Sequence, residues 1–75
     1  MTLPLTRSEA DIFTHLLEML RLAEEASYTL GHFYSAQDDF EHGQGLLAVG
    51  EMFKYCQTNV INIATKSMRT KAGFN

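Results

Sequence analysis

Residues 12–33, IFTHLLEMLRLAEEASYTLGHF, decide the fold class of this chain. Ile12, Leu16, Met19, Ala23, Ala26, Leu30 and Phe33 fall at spacings of 4, 3, 4, 3, 4 and 3. That is helical time, with no period-two alternation to suggest a strand. A second row runs beside it: Phe13, Leu17 and Leu20, then Glu24, Ser27, Gly31 and Tyr34. This row is large and apolar for two turns and then polar or small. The first row therefore reads as the packing seam, and the second as a surface that is sticky only in its N-terminal half.

Upstream, Thr6 and Glu9 have the spacing of a capping box, and Pro4 suits an extended lead. Glu9 and Asp11 place negative charge at the positive end of the helix dipole. Downstream, His42-Gly43-Gln44-Gly45 reads as the turn, since two nearby glycines punctuate helices. The seam resumes at Leu46, Val49, Phe53, Cys56, Val60, Ile63 and Ser67. Lys66, Arg69 and Lys71 suit the negative end of that dipole, and Gly73 with Phe74 suits a C-cap.

The chain is thus expected to be a single all-α domain over residues 1–75. It should form an antiparallel hairpin of two helices, about 7–41 and 45–72. A turn near residues 42 and 43 would set Phe33 against Phe53 or Met52, Ala26 against Val60, and Ala23 against Ile63. Gly31 is the weak point, because mid-helix glycine costs about 1 kcal/mol relative to alanine. A break there would make residues 32–41 a short separate helix and the fold a three-helix unit.

One hairpin does not use all the apolar surface. Phe13, Leu17, Leu20, Leu47, Tyr55, Ile61 and Met68 lie outside the expected seam. A buried Leu or Phe contributes about 1.5–3 kcal/mol, and large wet patches are uncommon on monomers. Pairing of two hairpins into a homodimeric four-helix bundle would cover the surplus. The expected dimer interface is Ile12, Phe13, Leu16, Leu17, Leu20, Ile61 and Met68. Charge favours contact of unlike helices: residues 1–42 carry two basic and eight acidic side chains, residues 43–75 four basic and one acidic.

Function is less legible. With 45% hydrophobic and 20% charged residues the chain is globular rather than disordered. A net charge of −3 opposes a general nucleic-acid binder, leaving only Arg7, Lys66, Arg69 and Lys71 as a possible phosphate-contacting cluster. The N-terminus lacks the basic lead and apolar run of a signal peptide, and no stretch reaches the roughly 20 apolar residues of a membrane span. A cytoplasmic, membrane-free protein is expected. Cys56, the one cysteine, allows no intrachain disulfide and sits at a seam position where burial would quiet its thiol.

Helical bundles hold metals through inward Glu-x-x-His pairs. Here His15 and Glu18 have the reversed order, and Asp38, Asp39, Glu41 and His42 cluster at the turn with Glu51 on the facing helix. The expectation is no metal, no cofactor and no catalytic residue. Tyr28, His32, Tyr34, Phe40, Met52 and Tyr55 make an aromatic and Met-rich set, a composition enriched at interfaces, and are the candidate partner-binding residues. A non-enzymatic regulator, adaptor or inhibitor, pairing with itself and with another protein, is the reading these residues favour. A metal- or ligand-binding bundle and a nucleic-acid accessory protein are the alternatives. No motif identifies a family.

Overall fold

The computed structural model describes residues 7–71, and the side chains of residues 8–67. The expected roles of Pro4, Thr6, Gly73 and Phe74, and the side chains of Arg7, Met68, Arg69 and Lys71, lie outside that description. Two helices, α1 (Arg7–Ala36) and α2 (Phe40–Lys71), pack against each other as a hairpin. The all-helical hairpin read from periodicity is the observed fold. α1 runs unbroken through Gly31, so residues 32–41 do not form a separate third helix.

The turn is not where the glycines suggested. Gln37, Asp38 and Asp39 connect the helices, and Gly43 and Gly45 lie inside α2. Two hydrogen bonds close the end of α1. The Asp39 amide donates to the Tyr34 carbonyl at 3.0 Å, and the Asp38 amide to the Ser35 carbonyl at 3.1 Å. These are the 6→1 and 5→2 bonds of a Schellman motif, which needs a left-handed residue after the C-cap. Asp38 takes that place, with φ at 63°. Aspartate is one of the few residues besides glycine that visit this conformation, since a short polar side chain can hydrogen-bond locally.

Asp39 then starts α2. Its Oδ1 accepts from the His42 amide at 3.3 Å, an N-cap bond to the third helical residue. The His42 ring reaches back, with Nδ1 2.9 Å from Asp39 Oδ2. The glycine rule failed because two aspartates stand at the helix ends and release Gly43 for packing.

The inward row is also the other one. The buried residues among those described are Ser27, Gly31, Gly43 and Gly50, all small. A Cβ built on Gly31 would stand 2.8 Å from Leu47 Cγ and 3.0 Å from the Gly43 carbonyl oxygen. On Gly43 it would collide with Ser35 Oγ and lie 2.9 Å from the Gly31 carbonyl oxygen. On Gly50 it would lie 3.0 Å from the Tyr28 ring. The helices thus approach to near backbone contact at the turn-proximal end, the geometry small residues permit.

Register follows from that crossing. Gly31 faces Gly43 and Leu47, Tyr28 faces Gly50 and Glu51, and Glu24 faces Gln57. The expected pairs of Phe33 with Phe53 or Met52, Ala26 with Val60, and Ala23 with Ile63 do not form this interface: Phe33, Met52, Ala26 and Ile63 are exposed. Leu47, expected outside the hairpin contact, packs on Gly31.

Candidate functional site

The hairpin is one layer of helices, with Cα extents of 54 × 22 × 12 Å. A single layer has two open faces, and helical periodicity says what each carries. The inward row of α1 is Phe13, Leu17, Leu20, Glu24, Ser27, Gly31 and Tyr34. The inward row of α2 is Gly43, Leu46, Gly50, Phe53, Gln57, Val60, Ala64 and Ser67. A residue one position before an inward one is rotated about 100° to one side, and one position after about 100° to the other. In an antiparallel pair the same offset on both helices points to the same face of the layer.

One position before the inward rows stand Ile12, Leu16, Met19, Ala23, Ala26, Leu30 and Phe33 on α1. On α2 they are His42, Gly45, Val49, Met52, Cys56, Asn59, Ile63 and Lys66. One position after stand Thr14, Glu18, Arg21, Glu25, Tyr28, His32 and Ser35 on α1. Their counterparts on α2 are Gln44, Leu47, Glu51, Lys54, Thr58, Ile61 and Thr65. The first set is an apolar face; the second is a polar face interrupted by Leu47 and Ile61.

Contacts across the hairpin agree with this division. Tyr28 donates its hydroxyl proton to the Glu51 carboxylate, and both belong to the polar set. The Tyr34 ring, at the inward edge, meets Phe33 at 5.6 Å and His42 at 5.8 Å between centroids, and both of those neighbours belong to the apolar set. Between the faces, Gln57 Nε2 donates to Glu24 Oε1 at 2.7 Å, a half-buried bond that holds the middle of the hairpin.

The apolar face is open. Ile12 is 67% exposed, Phe33 54%, Met52 66% and Ile63 59%. Among the described residues no apolar side chain is fully buried; the inward Phe13, Leu17, Leu20, Phe53 and Val60 are half-buried. Sequence reasoning assigned this row to the interior of a single hairpin; it lies outside it. Cys56, expected buried, is exposed on this face. The signal that could have shown this was the Ser27-x₃-Gly31 spacing, two small residues in the second row, with Ser35 beside it.

The expected dimer-interface residues divide accordingly. Ile12 and Leu16 are exposed on the apolar face. Phe13, Leu17 and Leu20 are half-buried in the inward row of their own hairpin, and Ile61 is exposed on the polar face. The Met68 side chain lies outside the described residues.

The candidate partner-binding residues do not converge on one patch. Tyr28 is half-buried and bonded to Glu51, and His32 is exposed on the same polar face. Tyr34 is half-buried near the turn with His42. Phe40 is exposed at the first turn of α2, while Tyr55 lies fifteen residues further along. At about 1.5 Å per residue that separates them by roughly 22 Å.

Of the titratable groups near the turn, Asp39 and His42 are drawn together, with Asp39 half-buried and His42 exposed. Among the described residues no three His, Cys, Asp or Glu side chains gather closely enough to hold a metal ion. No helix among them is long and apolar enough to cross a membrane. Compared with protein-family models, with curated proteins and with solved structures, the chain matches none.

Proposed function

We propose that this protein acts by protein contact rather than by catalysis, as a small homodimeric regulator, adaptor or inhibitor. One observation carries the reading: the hairpin fully buries no apolar side chain among its described residues, yet presents an apolar face on both helices. Hydrophobic burial is the main favourable term in folding. A hairpin with only glycines and a serine fully inside gains little of it alone. The missing burial must come from association.

Two associations are proposed. Pairing of two copies supplies the core, in the manner of a four-helix bundle. A second protein is then met through side chains the pairing leaves free, with His32, Phe40 and Tyr55 as candidates. Sedimentation equilibrium from low to high micromolar concentration tests the first part, with a dimer expected and a folded monomer throughout overturning it. Affinity capture from the source cell tests the second. Phe40→Ala and Tyr55→Ala together should abolish capture while sparing the dimer; undiminished capture would remove those residues from the site.

A further inference from the structure

We infer that a second copy of this chain covers the apolar face, through Leu16, Met19 and Leu30 of α1 and Val49, Met52 and Ile63 of α2, while the Tyr28–Glu51 face stays in water. The inference rests on the homodimer reading and specifies which side of the hairpin performs it. It also moves the contact away from Phe13, Leu17, Leu20 and Ile61, the residues periodicity alone had favoured.

Area supports a whole protein surface as the occupant. The chain exposes 5831 Å². A folded monomer of 8.5 kDa would expose about 4,700 Å² by the scaling of surface with mass. The excess, roughly 1,100 Å² over the whole elongated chain, leaves room for the share that one partner of a standard interface buries, about 800 Å².

Charge supports a copy of the same face. Between Ile12 and Phe33 the α1 part of this face carries no charged residue, and on α2 from Gly45 to Ile63 it carries none either. Two such faces meet without like-charge repulsion and without stranding an ion in the contact. The opposite face, with Glu18, Arg21, Glu25, Glu51 and Lys54, would place charges of both signs in any contact made there.

Folding itself points the same way. A hairpin whose described apolar side chains are at most half-buried needs its cover whenever it is folded, and the one partner guaranteed at equal abundance is another copy. Closed two-fold pairing is the commonest form such association takes.

Cys56 reports directly on this face, being exposed in the single hairpin and one residue before inward Gln57. Thr58, one residue after Gln57, reports on the other. The test is the rate of iodoacetamide labelling as protein concentration rises through the range set by sedimentation. The two proteins are the natural chain and a Thr58→Cys, Cys56→Ser variant, each shown to be folded by circular dichroism. Cys56 should become at least tenfold slower to label as the dimer forms, while the cysteine at 58 keeps a constant rate. Protection at 58 with Cys56 open, or protection at neither position in a proven dimer, overturns the face assignment and leaves the homodimer standing. A folded monomer with both positions open overturns both.

Discussion

The two halves of the hairpin are held in opposite ways. Near the turn, Gly31 and Ser35 lie against Gly43, Tyr28 lies on Gly50, and the helices come close enough that a methyl group would not fit at several points. Toward the open end, Phe13, Leu17 and Leu20 of α1 share the inward rows with Phe53, Val60 and Ala64 of α2, and all remain half-buried. The glycine half achieves contact but buries little apolar surface. The leucine half has apolar surface but not enough neighbours to bury it. Small residues set how close two helices come, large ones set how much energy they gain, and here these tasks fall on different stretches.

Substitutions can break that contrast or sharpen it. Because association and folding are coupled in such a chain, all should be compared at one protein concentration. The largest effect is expected from Gly31→Val. Its side chain would meet Leu47 and the Gly43 carbonyl, forcing the helices apart at a cost of about 3 kcal/mol, within the upper range for overpacking. Thermal denaturation followed by circular dichroism would show it as a large drop in midpoint. A midpoint near that of the natural chain would mean the close crossing is not what holds this half.

Leu20→Ala should cost less, about 1–2 kcal/mol, because Leu20 is half-buried and the full cost of truncation applies only to enclosed sites. Urea titration would place it, and a loss larger than that of Gly31→Val would invert the contrast. The smallest change, and the one of opposite sign, is Gly45→Ala. A Cβ at Gly45 meets nothing within 4 Å, whereas one at Gly43 would collide with Ser35 Oγ. Within the same helix, relief of the glycine penalty should therefore raise stability by about 0.5–1 kcal/mol at Gly45. A destabilised Gly45→Ala protein would show that this position, too, is covered by something the single hairpin does not contain.

The part of the fold legible beforehand was the part local chemistry controls. Seven apolar residues at helical spacing specified α1, and the second seam specified α2, because periodicity is a property of one helix and needs no partner. Where the chain turns was misread for a local reason as well. Glycine is the usual left-handed residue at a helix end, but Asp38 takes the positive φ here, and Asp39 caps the next helix through its short side chain.

The candidate surface was half legible. That apolar surface exceeds what one hairpin hides could be counted from residues. Which row stays outside could not, since Met19 and Leu20 are neighbours and equally apolar.

By itself, then, the sequence determined two helices, their antiparallel arrangement and a surplus of apolar side chains. Only the tertiary structure decided that the Gly31 row turns inward and the Leu30 row outward. The reason is steric: Gly31 and Gly43 allow two backbones to meet, and once they do, the short connection at Asp38 and Asp39 fixes the rotation of both helices. Every other side chain takes the face that rotation leaves to it.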